Sequence, residues 1–215
     1  ASGAGVPTHC LITDMNQVLG HSVGNTVEVQ ECIDCMLNPT EADSRLVDLT
    51  LQLAAHMLHI GGLVDSYEQG YTKAEQALNS GAAADVFAKM CQAQGTKGDI
   101  LTKSVFADMP INAPIMAKQS GYITEIDTRA IGMAMVSVGA GRRLTTDQID
   151  HGLGLTKVVG LGTYIKAGEP LAMAHMREQA QIDILTEALQ AAMVVSEEQP
   201  AALPLVYKTV TSHGA

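Results

Sequence analysis

Leu11-Ile-Thr-Asp-Met-Asn-Gln-Val-Leu-Gly-His-Ser-Val-Gly-Asn-Thr-Val-Glu-Val-Gln-Glu31 reads as a strand, a glycine-punctuated loop and a capped helix. Asn25 is a preferred N-cap residue, and Glu28 stands three positions on, as a capping box requires. Gly20 and Gly24 open backbone angles closed to other residues. So much specification this early implies a chain that begins inside a domain. The loop also predicts chemistry. A sharp turn through two glycines points several carbonyls inward, and Glu31 on the following helix can return a carboxylate to them. Oxygen-only ligation of that kind suits a hard cation, whereas a plain helix-cap loop would carry the same residues.

Outward from this stretch, the first part of the chain reads as helical. A helix over 27–36 follows the cap. Ser44 opens a second, with Leu46, Leu49, Leu53, Met57 and Ile60 at helical spacing, stopped by Gly61-Gly62. Two more helices are predicted over 67–78 and 83–94. Thr96-Lys-Gly-Asp99 is a polar break and the expected subdomain boundary. Short strands follow over 104–107, 113–116 and 121–127. Asp127 or Thr128 then caps a helix ending at Gly139-Ala-Gly141. Strands resume over 151–159, 163–165 and 170–175. A helix is predicted over 178–195 with Ile182, Leu185, Leu189 and Met193 on one face, and a last strand over 205–210.

The 215 residues are 47% hydrophobic with only 3% aromatics, so aliphatic side chains must fill the interior. Thirteen Lys and Arg against 23 Asp and Glu give a net charge of −10, which argues against nucleic acid or an anionic membrane as the main partner. A locally bound small anion is compatible with it. Four irregularly spaced cysteines suit free thiols in a reducing cytoplasm better than a disulfide scaffold. The first seven residues have neither the basic start nor the apolar run of a leader, and no segment is long and apolar enough to span a bilayer.

Several candidate sites compete with blander readings. Cys32 and Cys35 form a C-x-x-C, but on a predicted helix and without a second metal-ligand pair; small buried residues are the simpler reading. His56 and His59, three apart on a helix, could hold a metal or simply pack, and no H-E-x-x-H completes them. His9, His151 and His175 are scattered, and His21 lies in the glycine loop, where a stabilising hydrogen bond is its expected role. Gly139-Ala-Gly-Arg-Arg143 looks like an anion nest, but at a helix end where carbonyls are exposed. Walker and dinucleotide motifs are absent from the sequence. Gly121-Tyr-Ile-Thr-Glu-Ile-Asp127 and Gly162-Thr-Tyr-Ile-Lys-Ala-Gly-Glu-Pro-Leu171 share a turn-and-strand rhythm similar to biotinyl and lipoyl carriers. Those carriers present a lysine between methionines, a setting Lys157 and Lys166 lack.

The 11–31 stretch closely resembles the thymidine and pyrimidine nucleoside phosphorylases. Further similar stretches follow in order: Ala88-Lys-Met-Cys-Gln-Ala-Gln94, Gly121-Tyr-Ile-Thr-Glu-Ile-Asp-Thr-Arg-Ala-Ile-Gly132, Gly139-Ala-Gly-Arg-Arg143, and Gly160-Leu-Gly-Thr-Tyr-Ile-Lys-Ala-Gly-Glu-Pro-Leu171. The bacterial thymidine phosphorylase pattern is the most similar. The resemblance implies an α/β chain: the C-terminal part of a mixed-sheet α/β domain flanked by helices over 1–98, then a β-rich C-terminal subdomain over 99–215 resembling a barrel-sandwich (lipoyl-like) unit.

It also implies reversible phosphorolysis of pyrimidine 2′-deoxynucleosides, with phosphate as co-substrate, in a cytoplasmic homodimer. Family members are about twice this length, and their phosphate loop and base-binding Arg, Ser and Lys have no match here. No catalytic or substrate-binding residue is therefore assigned, and a partner N-terminal half is expected. Strand 10–13 would then leave an unpaired edge. Some members hold a monovalent cation, apparently potassium, and the resemblance carries its ligands onto the carbonyls of Leu19 and Ser22 and the carboxylate of Glu31. Ser22 departs from the usual Ala, which a carbonyl ligand tolerates. A stand-alone binding module of the same fold, and a phosphorylase for uridine or nucleoside monophosphates, are the alternative readings.

Overall fold

The computed structural model describes residues 2–102 and 109–211. It is a mixed α/β chain with strands β1 (His9–Thr13), β2 (Val23–Gly24), β3 (Ile111–Met116), β4 (Gly121–Ile126), β5 (Gly154–Thr156), β6 (Tyr164–Ile165), β7 (Pro170–Met176), β8 (Met193–Ser196) and β9 (Val206–Thr211). Its helices are α1 (Thr26–Leu37), α2 (Ser44–Ile60), α3 (Tyr67–Asn79), α4 (Ala82–Ala93), α5 (Thr128–Ser137) and α6 (Gln179–Ala192). The strand predicted over 104–107 lies outside the described residues. Among the described residues no helix is long and apolar enough to cross a membrane.

Chain contacts gather into two compact units, each drawn from separated segments. Unit 1 comprises Ala1–Asp14, Ile33–Leu101 and Leu203–Ala215; unit 2 comprises Met15–Cys32 and Thr102–Ala202.

In unit 1, β1 and β9 form a two-stranded antiparallel sheet, with Leu11 opposite Thr209. The helices begin and end on local signals. The Asp43 carboxylate caps α2 by accepting the Leu46 N–H at 2.9 Å, and Gly61 closes it. Ser66 caps α3 through the Gln69 N–H. α3 approaches α2 closely at Gly70, where an added Cβ would lie 2.7 Å from the Ala55 carbonyl oxygen. The predicted α2 stripe divides. Leu49 is buried, whereas Leu53, Met57 and Ile60 are 46%, 73% and 36% exposed. Periodicity registers an apolar face without saying what covers it.

Unit 2 holds the main core. One sheet has strand order β2-β5-β7-β3 and another β6-β4-β8, with every pairing antiparallel. Ile115, Ile123, Leu155 and Met176 from the strands meet Ile131 of α5 and Leu185 and Leu189 of α6. Asp127 caps α5 as expected, its carboxylate accepting the Ala130 N–H at 2.8 Å. The helix predicted to Val195 instead stops at Ala192, whose carbonyl takes the Asp127 N–H. Met193–Ser196 turns into β8, where Val195 pairs with Ile123. β-branched Val194 and Val195 favour an extended partnered strand over another helical turn. The strand predicted over 151–159 shortens to Gly154–Thr156, because Lys157 takes φ 53° and ends it.

Candidate functional site

The glycine loop of unit 2 is held from several sides. Thr128 Oγ1 donates to the Met15 carbonyl, and Gln17 Oε1 accepts the Leu161 N–H at 3.0 Å. The Val158 N–H donates to the His21 carbonyl, while the His21 Nδ1 lies 3.1 Å from the Val158 carbonyl oxygen. His21 thus takes the loop-bracing role expected of it. Gly24 pairs with Gly154 across β2 and β5.

Glu31 returns to this loop as anticipated. Its Oε1 accepts the His21 N–H at 2.6 Å. Gly20, at φ 75°, passes directly beneath: a Cβ there would lie 2.7 Å from Oε2 and 2.8 Å from Oε1. Leu19 and Ser22 flank the contact, Leu19 half-exposed and Ser22 buried. The loop thus meets this carboxylate with a backbone N–H donor, a charge-assisted bond that ties α1 to the turn. The capping geometry differs from the expected box. Asn25 occupies the cap position, its carbonyl accepting the Val29 N–H, but its side-chain amide donates to Ala140 O. Glu28 reaches back to the Gly24 N–H rather than to that of Asn25.

The other candidates resolve into local structure. At Gly139–Arg143, the N–H groups of Arg143 and Leu144 both donate to Asp147 Oδ2 at 2.9 Å. A carboxylate of the chain itself fills the cradle an anion would need, and those N–H bonds hold the Asp147 carboxyl below its ordinary range. Cys35 is buried, while Cys32 is exposed. Desolvation, then the Glu31 and Glu28 carboxylates, raise the Cys32 pKa, opposite to what a reactive thiolate needs.

Three groupings were not legible in sequence. His9 joins the α2 histidines: its Nδ1 lies 2.9 Å from His56 Nδ1. In unit 2, His175 lies between Asn112 Oδ1 at 2.5 Å and Thr156 Oγ1 at 2.8 Å, across three neighbouring strands. Burial lowers its pKa. Arg177 pairs with Asp150 and holds that carboxyl below its ordinary range. Each needs long-range strand or helix contacts that spacing alone does not give. A shallow hollow of about 500 Å³ lined by Glu68, Gln69, Thr72, Lys73 and Gln76 runs along α3. It is built by one helix and lies in a different unit from the loop.

Two family models match the chain. Residues 2–84 match the glycosyl transferase family a/b domain, and residues 122–196 match the pyrimidine nucleoside phosphorylase C-terminal domain. The first match contains the glycine loop and Glu31; the second contains all of β4 but Gly121, with α5 and the two arginines of the 139–143 turn. With both matches falling in chain order, the two together support a relationship of this chain to the pyrimidine nucleoside phosphorylase family.

Proposed function

We propose that this chain is the C-terminal scaffold of a thymidine phosphorylase. In that reaction a phosphate oxygen attacks C1′ of a pyrimidine 2′-deoxynucleoside. The C1′–O bond forms as the C1′–N1 bond breaks. The base departs and takes up a proton, leaving 2-deoxyribose 1-phosphate. Such chemistry needs a cationic, donor-rich phosphate site and donors that stabilise charge on the departing base. The observation that carries the reading is the paired family match, with an a/b domain and a phosphorylase C-terminal domain in one chain.

On this reading the reactive groups belong to sequence outside these residues, and this chain holds the wall behind them. Exposed apolar side chains in unit 1 support it: Ile12 of β1, Leu53 and Met57 of α2, and Val86 and Met90 of α4. We read the two sheets of unit 2, closed over one core, as the barrel-sandwich element of the C-terminal domain. The carbonyls of Leu19 and Ser22 and the carboxylate of Glu31 would hold a potassium ion, supplying fixed positive charge and rigidity to the loop. Its working form is a cytoplasmic homodimer, a placement supported by four cysteines that are not joined in disulfides.

The test is to assay the chain together with the N-terminal half of a family phosphorylase, offering thymidine, uridine and phosphate in competition. Preferential release of thymine is expected, stimulated by potassium in the parent and much less in the Glu31→Gln variant. Preference for uridine would replace the thymidine assignment, and indifference of both proteins to potassium would remove the cation site.

A further inference from the structure

A polar trio in unit 2 is used by none of this chemistry. Asn112 of β3, His175 of β7 and Thr156 of β5 stand on three neighbouring strands of one sheet. The Asn112 Nδ2 donates to the Met109 carbonyl at 3.1 Å, which fixes the amide and leaves Oδ1 as the acceptor. That oxygen lies 2.5 Å from His175 Nδ1, so Nδ1 carries the ring proton and donates it. Nε2 is then the ring's acceptor, and the Thr156 hydroxyl, 2.8 Å away, donates to it.

A hydroxyl, an imidazole and an amide oxygen thus stand in relay order: O–H to Nε2, then Nδ1–H to Oδ1. An activated nucleophile requires that order, with a base in hydrogen-bond reach of the hydroxyl and a third group holding the base in one tautomer. The backbone adds a second observation. Lys157, directly after Thr156, has φ 53°, a left-handed conformation that costs energy at a non-glycine residue and gathers at functional sites. The trio is also reachable, since Asn112 is exposed and Thr156 and His175 are half-buried. Burial lowers the His175 pKa, so the ring is neutral and free to take a proton near neutral pH.

The sheet face around the trio is apolar. Met173 stands opposite both Thr156 and Pro114. Gly154 stands opposite His175, and the Val27 side chain fills the space its Cβ would take. We propose that Thr156, His175 and Asn112 form an acyl-transfer site for activated esters of small aliphatic acids, with Thr156 as nucleophile, His175 as general base and Asn112 as the positioning residue.

In the first step Thr156 Oγ1 attacks the ester carbonyl carbon as its proton passes to His175 Nε2. The Oγ1–carbon bond forms, the bond from that carbon to the leaving oxygen breaks, and the proton leaves with the departing alcohol. In the second step His175 takes a proton from water as the water oxygen attacks the acyl carbon. The Oγ1–carbon bond breaks, the acid departs and the proton returns to Thr156. Ester and water are consumed, acid and alcohol are formed, and no redox partner is needed.

The test exposes the intact 215-residue chain to p-nitrophenyl acetate, following nitrophenolate by absorption and the acetyl group by peptide mass spectrometry. A burst of about one equivalent of nitrophenolate is expected, with the acetyl group on the peptide bearing Thr156. Thr156→Ala and His175→Ala should each slow the burst at least about tenfold, whereas Thr156→Ser retains it. Asn112→Ala should also slow it about tenfold, and Asn112→Asp, which keeps an acceptor for Nδ1–H, should restore it. The position of the acetyl group in the unsubstituted chain decides the matter even where a variant fails to fold. Acetylation of lysines or of His175 without Thr156, or release indifferent to Thr156→Ala, would overturn the assignment and leave a hydrogen-bonded staple between strands.

Discussion

Gly20 and Glu31 show what one backbone angle does for a site. At φ 75° the loop passes under the Glu31 carboxylate, whose flexible end would have to shift to admit a Cβ. Gly20→Ala therefore meets a conformational penalty and displaces the Glu31 carboxylate from its bond to the His21 N–H, and we expect a loss of about 1–3 kcal/mol of unit 2 stability, measured by urea unfolding. Glu31 and the positive-φ glycine were legible in sequence because both signals are local. His9 was not, since the ring that meets His56 comes from a strand 47 positions away. The histidine cluster carries its own pH signature. His56 has a lower pKa folded than unfolded, so the unfolded chain binds more protons. Stability contributed there is present above about pH 6.5 and is lost as pH falls below it. Thermal melts of the chain should drop between about pH 7 and pH 5, and His56→Gln should flatten that slope.

Elements tell the same story at longer range. Caps at Asp43, Ser66 and Asp127 sit where local chemistry places them, and α2, α3 and α5 begin beside them. The end of α6 depended instead on what lay across the sheet. Met193–Ser196 is apolar enough to continue the helix, yet β4 offers Val194 and Val195 an open edge. The presumed anion turn at 139–143 likewise depended on Asp147, whose carboxylate takes both N–H groups. Helix packing yields a sharper prediction. Gly70 lets α3 approach the Ala55 carbonyl, so Gly70→Ala must push α3 away from α2. A loss of about 1–3 kcal/mol is expected, with hydrogen exchange in α2 and α3 accelerating while α6 is unaffected. Equal acceleration in both units would mean that they unfold together.

At the scale of the whole molecule, the two units are unlike in how they are buried. Unit 2 contains the cluster of fully buried Ile, Leu, Val and Met side chains. In unit 1, β1 has β9 as its strand neighbour among the described residues, and Ile12 on it is 52% exposed. Asp14 is buried against Arg45 at 2.9 Å, and the Arg45 Nε is buried without a hydrogen-bond partner among the described residues. A strand edge and an apolar helix stripe in one unit are what a surface evolved to be covered would display. The proposed phosphorylase reading names the cover as the segment bearing the phosphate and base sites.

The decisive measurement is phosphate-dependent release of thymine from thymidine by the purified 215-residue chain, alone and mixed with the N-terminal half of a family phosphorylase. The account predicts no turnover by either part and turnover by the mixture. Turnover by this chain alone, or an inactive mixture in which the two parts bind each other, would contradict it.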